Sequence, residues 1–401
     1  MKKLHITLIG KQQLFVDLSI GDNEYGDFLY EFLSVFEHKI DEERGKIIFH
    51  NIQVKSIDTD KRLRSFLANY KDVLPKLFTL HTFFKMLNTG EPFLLYLKEL
   101  DRLERIEASI LFKALDEKRA LLDVKQEHQE QFGNFLERYE VIHVDGSRRF
   151  SFGVPDKSKR VCRYCNLDKN QGATFKKTAH VISEALGNKQ VVDFDECDKC
   201  NEKFGNEIEP DLITYLDFYR SMFAIPGKEG PPSIKGKNFL MTSKEGVLIE
   251  SDKPPVFKEN KMELNLLHSQ KLNRQNIYKT LCKFGIGLMP KEDLPQFKKT
   301  IHWLNRGLHI EKLPLVAHSV MNKTHGIHPI LSIFRRVESD FSMPYAFGIF
   351  GFTVTSFLFI IPSESDNDFT DESKFMGFWR HINSLTNNRG WEFIDLSSNE
   401  R

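Results

Sequence analysis

Residues 162–201 read CRYCNLDKNQGATFKKTAHVISEALGNKQVVDFDECDKCN, and the fold turns on how this stretch is read. Two Cys-x-x-Cys pairs, Cys162/Cys165 and Cys197/Cys200, bracket it. Each pair offers two thiolates from one tight turn. Two such turns complete a tetrahedral four-cysteine zinc site with no open position, which marks the metal as structural. In a cytoplasmic chain, paired Cys-x-x-Cys motifs point to metal and not to disulfides. The 31 residues from 166 to 196 exceed the roughly 15–20 that separate the pairs of a simple zinc ribbon. Something the size of a β-hairpin is therefore held between the pairs. ATFKKTAHVI reads as a strand ending near His180, SEALGN as a loop and QVVDF as a second strand; DECDKCNEKFGNEI reads as a turn running into a helix that stops at Pro210.

This order resembles the HNH endonuclease family over about residues 160–211. That family has a ββα-metal fold braced by a four-cysteine zinc. The resemblance is carried by CRYC, AHVISEALGN and CDKCNEKFG: a histidine ending the first strand, Leu-Gly in the loop, and an asparagine directly after the last cysteine. It implies that His180 is the general base that deprotonates the attacking water. It implies that Asn201 is a ligand of a single divalent ion, Mg2+ or Mn2+. The middle signature position, which braces the loop, falls on Asn188, with Asp193 or Asp195 as substitutes. The implied catalytic set is thus His180, Asn201 and Asn188, beside Cys162, Cys165, Cys197 and Cys200 for zinc. The chain departs from the pattern at Ala179, where many family members carry an acidic second metal ligand. Glu184 and Glu202 are the candidates to supply that carboxylate.

The chemistry of the residues agrees. Histidine accepts a proton near neutral pH, and a helix N-terminus near Asn201 favours a phosphate. Lys159, Arg160, Arg163, Lys176 and Lys177 suit backbone phosphates, which bind with a salt-dependent affinity. Eight acidic residues from Asp193 to Asp211 put the nucleic-acid contact on the strand side.

Outward from this unit, the 401 residues suffice for two or three domains. With 57 basic and 56 acidic residues the net charge is +1, so affinity for nucleic acid must come from a local patch. The N-terminal MKKLHITLIGKQQLF has no apolar stretch of signal-peptide length, and a cytoplasmic protein is expected. The run YAFGIFGFTVTSFLFIIP (345–362) has the length of a membrane span, yet its branched and aromatic residues read as buried strands. The stretch 141–160 reads as a strand pair followed by a linker, and the Gly/Pro-rich 225–237 as a second linker. They divide the chain into a mixed, mainly helical region 1–150, the module 158–226, and an α+β region 238–401 of recognition or sensing character. The fold class is α+β. PFLLYLKELDRLERIEASILFKALDEKRALL reads as helical, with an amphipathic face suited to a core or to a homodimer or partner-subunit contact. Cys282 is expected as a buried apolar residue. His318, His325 and His328 match no standard metal-ligand spacing.

The resemblance implies a metal-dependent endonuclease hydrolysing phosphodiester bonds, with DNA favoured over RNA. A nuclease module between larger regions is similar to bacterial anti-phage defence effectors and restriction enzymes. The departure at Ala179 leaves one alternative, a non-catalytic zinc-containing nucleic-acid-binding protein.

Overall fold

The computed structural model describes residues 1–11, 13–36, 38–41, 46–70, 73–132, 138–227, 230, 232–243, 246–258, 261–267, 269, 271–321, 324–337, 342–364, 369–382 and 390–398. Residues 71–72 and 133–137 of the N-terminal helical reading, and Lys228, Glu229 and Pro231 of the second linker, lie outside them. The chain divides into two compact units, Met1–Glu137 and Arg138–Arg401, where the linkers led us to expect three.

In the first unit the elements are β1 (Lys2–Ile9), β2 (Gln13–Ile20), α1 (Tyr25–Ser34), β3 (His38–Asp41), β4 (Lys46–Phe49), β5 (Ile52–Val54), α2 (Ile57–Tyr70), α3 (Phe78–Met86), β6 (Pro92–Tyr96), α4 (Arg102–Asp116) and α5 (Leu121–Phe132). An antiparallel sheet of order β2-β1-β6-β5 shares a core with helices α1 to α3. Leu4, Ile6 and Leu8 of β1 belong to the same buried cluster as Phe28, Phe32, Phe66 and Phe84. This region is mixed, and its helices hold more residues than its strands. PFLLY, which we read as helical, is β6, because a short apolar run carries no periodicity to separate a central strand from a buried helix. Pairing with β1 on one side and β5 on the other decides the matter.

The second unit begins with β7 (Tyr139–Asp145), β8 (Phe150–Phe152), β9 (Ala179–His180), β10 (Val191–Asp193), α6 (Asp198–Glu207), α7 (Glu209–Tyr215) and α8 (Asp217–Met222). It continues through β11 (Ile234–Lys235), β12 (Phe239–Thr242), β13 (Leu248–Ser251), β14 (Val256–Lys258), β15 (Lys261–Glu263), α9 (Arg274–Leu288), α10 (Lys298–Arg306), β16 (Val316–Val320), β17 (Ile330–Arg336), β18 (Ala346–Phe352), β19 (Thr355–Ile360), α11 (Glu372–Ile382) and β20 (Trp391–Ile394). Six strands form an antiparallel sheet of order β20-β16-β19-β18-β17-β7. The two strands expected at the start of 141–160 are β7 and β8, but they do not pair with each other: β8 pairs with β10, and β7 with β17 along its whole length, from Asp145↔Ile330 to Tyr139↔Arg336. The run 345–362 is the hairpin β18–β19, two strands turning at Thr353 and buried almost throughout. Among the described residues no helix is long and apolar enough to cross a membrane.

Helix α9 joins the module to the sheet. Asn273 caps it, accepting from the Gln275 backbone N–H at 3.0 Å, and from Ile277 to Leu288 every residue is buried. A helix buried on all sides has structure packed all round it. Gly287 shows how close that packing is, since a Cβ there would lie 2.9 Å from Val181, just after β9. Cys282 lies within this helix, fully buried.

Candidate active site

The metal centre is built by two turns. After Cys162 the chain reverses through Asn166 at φ 58°, a conformation asparagine tolerates better than most residues. Backbone bonds Asn166 N–H to Cys162 O (2.8 Å) and Cys162 N–H to Leu167 O (2.9 Å) close the turn. The second pair sits at the start of α6, with Cys197 at its N-terminal boundary and Cys200 in its first turn. All four Sγ atoms lie within 4.8 Å of one another, and Cys165 and Cys197 are 3.7 Å apart. Four sulfurs held tetrahedrally about 2.3 Å from one ion would be about 3.8 Å apart, so the cluster fits zinc. Hydrogen bonding among the thiols, Cys162 foremost for Cys165 and Cys197, pulls those two below the usual thiol range, Cys165 to about 7. Cys162 and Cys200 are pushed above it, so four thiolates together require a cation.

Between these turns β10 runs parallel to β8 and antiparallel to β9, with His180 opposite Val192 and Ala179 opposite Asp193. The strand expected over ATFKKTAHVI is only the two residues of β9; residues 174–177 are instead tied to α6. The Asp198 carboxylate accepts from Thr174 Oγ1 (2.6 Å) and from the Lys176 and Lys177 amides. The helix expected to stop at Pro210 ends at Glu207. Pro210 opens the first turn of α7, where its missing N–H is not needed.

His180 and Asn201 line one cleft of about 660 Å3, together with Glu184, Glu202, Glu209 and Arg220. His180 is half-buried, and burial pushes its pKa below the ordinary 6.5; Lys283 adds to the fall and Glu184 opposes it. The His180 carbonyl accepts from Lys283 Nζ at 2.8 Å. Lys283 is wholly buried on α9 and also pairs with Glu196 (3.3 Å) and Glu209 (3.1 Å). Burial pushes the Glu196 carboxyl up to about 8 despite that lysine. Arg220 is bound to Asp217 through Nη1 at 2.5 Å, and its buried Nε has no partner among the described residues.

Asn188 is fully buried. Its amide donates to the Ile182 and Val191 carbonyls and its oxygen accepts from the Gln190 and Val191 amides. Every hydrogen-bonding group of its side chain is spent on backbone, so it braces the loop that follows His180, the place the resemblance gave it, and has none left over for a substrate or an ion. Gly187 ends that loop at φ 81°, where a side chain would also meet Ile225 at 2.9 Å. Of the suggested substitutes for Asn188, Asp193 pairs with Arg163 and Asp195 accepts from the Val154 amide. Ala179 does not line the cleft of His180. It faces a separate cavity of about 90 Å3 beside Asp193 and Glu196.

Two expected phosphate-binding cations are structural instead. The Arg163 side chain is 5 % exposed, lies 2.8 Å from Asp193 Oδ2, and donates to the Ile286 and Met289 carbonyls. Arg160 is buried, donates to the Val154 and Pro155 carbonyls, and stacks on Phe194. Lys159, Lys176 and Lys177 are exposed. Half of the acidic residues from 193 to 211 are buried, namely Asp193, Asp195, Glu196 and Glu209, so they do not form the repelling surface expected. Sequence reading missed Glu209, Arg220 and Lys283; only Lys283 left a trace, as a lone charge inside the apolar run LCKFGIGL. Among the described residues the four cysteines are the one group of three or more His, Cys, Asp or Glu with ligand atoms this close. His318 packs on Phe357 and His325 bonds Ser356.

The family model described as HNH endonuclease matches residues 162–216. No curated protein and no solved structure gives a significant match to the chain. Residues 162–216 thus form a segment that matches the HNH endonuclease family and is built around a four-cysteine cluster.

Proposed function

We propose that this protein is a metal-dependent endonuclease that hydrolyses phosphodiester bonds in nucleic acid, DNA before RNA. The observation that carries the reading is that His180 and Asn201 line the same cleft within the HNH segment. His180 is held neutral by burial and takes a proton from the attacking water as its oxygen bonds to phosphorus and the bond to the 3′ oxygen breaks. Asn201, with Glu184 or Glu202 in the same cleft, offers oxygen donors of the kind a hard divalent cation takes. Such an ion, when bound, supplies charge stabilisation to the phosphate and the departing oxygen. The Arg220 guanidinium, which lines the same cleft, suits the non-bridging oxygens. The alternative, binding without cleavage, draws on Ala179; the three carboxylates of the cleft weigh against it, because a ligand at 179 would face elsewhere. A cytoplasmic defence or restriction role rests on architecture alone.

Supercoiled plasmid incubated with Mg2+ or Mn2+, with an EDTA control, tests the reading. Wild type should nick it, and His180→Ala should lose at least about 100-fold in rate. An unchanged rate in His180→Ala, or no metal-dependent nicking of duplex or single-stranded DNA by wild type, would overturn it.

A further inference from the structure

A second cleft, of about 760 Å3, lies on the other side of α6 between the cysteine turns and α10. Lys199, Lys203, Lys291, Lys298, His302 and Arg306 line it; among the described residues its one carboxylate is Asp195, which is buried. Lys199, Lys291, Lys298 and Arg306 are exposed, and none has an ion-pair partner among the described residues. Some exposed cations elsewhere are paired. Lys299 pairs with Glu364 (3.2 Å), Lys177 with Glu202 (3.2 Å) and Lys159 with Asp156 (3.7 Å). The four cysteines also line the cleft, and as four thiolates on one Zn2+ they carry two net negative charges; the four unpaired cations outnumber these, so the concave site keeps a positive potential.

The site is built, not incidental. Helix α10 buries Thr300, Trp303 and Leu304 and turns Lys298, His302 and Arg306 outward at four-residue spacing, which stacks them on one face. From Lys298 to Arg306 the helix rises about 12 Å, the axial length of three to four phosphates on one strand of a duplex. Cross-links fix the opposite wall: Asn305 Nδ2 donates to the Tyr164 carbonyl (2.7 Å), Lys203 Nζ to the Asn305 carbonyl, and Tyr164 Oη to the Lys283 carbonyl (3.1 Å).

We infer that this basic cleft, and not the strand side of the module, holds the sugar–phosphate backbone of the nucleic-acid substrate. The inference rests on the nuclease reading for the identity of its ligand. Helix α6 divides the two clefts, with Lys199 and Lys203 on one side and Asn201, Glu202 and Gly205 on the other. A helix is about 10–12 Å across with its side chains, well under one turn of duplex. A backbone held on one side of α6 therefore delivers its neighbouring segment to His180 on the other.

The test is fluorescence anisotropy with a labelled DNA duplex of about 30 base pairs, without divalent metal, in the full-length His180→Ala protein so that nothing is cut. Titrations run from about 50 to 200 mM salt. The triple variant Lys291→Gln/Lys298→Gln/Arg306→Gln should bind at least about tenfold more weakly. Its log–log salt slope should be shallower by up to about 2.7, at about 0.9 per phosphate contact. The control Lys159→Gln/Lys176→Gln/Lys177→Gln should change both less. Since the substituted side chains are exposed and unpaired, the triple variant should melt with its parent. Equal affinity and slope in the triple variant, or a larger loss in the control, would overturn the inference. Displacement of duplex by inorganic tripolyphosphate at equal phosphate concentration would also overturn it, by making the cleft a small-anion site. Binding through the cleft without cleavage by wild type would sink the nuclease reading and leave this one standing.

Discussion

Replacing Lys283 by methionine removes the cation that Glu196 and Glu209 share at 3.3 and 3.1 Å. The Lys283 and Glu196 side chains are 0 % exposed and that of Glu209 is 10 %, so no solvent takes the lysine's place. Above about pH 8, where Glu196 is ionised, breaking this buried ion pair from one side costs about 3–5 kcal/mol, a large share of the 5–15 kcal/mol typical of a folded domain. For a unit of this size each kcal/mol moves the midpoint by roughly 2–4 °C, so the transition of the Arg138–Arg401 unit should fall by roughly 6–20 °C in scanning calorimetry. Neutralising the carboxylates as well, with Glu196→Gln and Glu209→Gln, should restore most of the loss, because the cost lies in the uncompensated charge. The pH dependence follows from the same group. Glu196 is raised from the ordinary 4.5 to about 8, so between those values the folded state binds more protons than the unfolded chain, and stability falls as pH rises through that window. Glu196→Gln should flatten the fall. If Lys283→Met melts with wild type, or the triple variant melts as low as the single one, the buried-pair reasoning is wrong.

Four further outcomes are expected. Arg163→Ala should destabilise by about 3–5 kcal/mol by stranding buried Asp193; a variant that instead keeps its melting temperature and binds DNA more weakly would return Arg163 to the phosphate contacts. Ala179→Asp should lower thermal stability without raising cleavage, because the new carboxylate enters the small cavity beside Asp193 and Glu196; a gain in rate at unchanged stability would contradict this. Cys197→Ser should lose the bound metal, measured as about one zinc per wild-type chain by elemental analysis, and should melt earlier; unchanged zinc and stability would refute the four-cysteine site. The acid limb of the cleavage pH profile should have its midpoint below 6.5, since burial keeps His180 neutral to lower pH; a midpoint above 6.5 would exclude His180 as the base.

The module was legible in the sequence because its constraints are local. Cys-x-x-Cys turns, the Leu-Gly loop end, and an asparagine after the last cysteine each need only their immediate neighbours. The helical face of DRLERIEASILFKALD was legible for the same reason, as its 3.6-residue period is written in consecutive residues. Harder to read were PFLLY, whose strand character comes from its two neighbours in the sheet, and the partner of the strand at 139–145, since β17 lies almost two hundred residues away.

What the sequence by itself determined is the ligand set of the metal centre and the identity of the histidine and asparagine that share the cleft, for these are matters of residue type and short spacing. Only the tertiary structure decided which charges are available. Arg160, Arg163 and half of the acidic run look like surface in a one-dimensional string, yet they are enclosed by chain arriving from elsewhere, Arg163 by the carbonyls that end α9. The unpaired cations of α10, more than a hundred residues from the cysteine turns at 162–165, are carried to the module by packing alone. Charge acts through space and solvent, and distance along the chain does not report it.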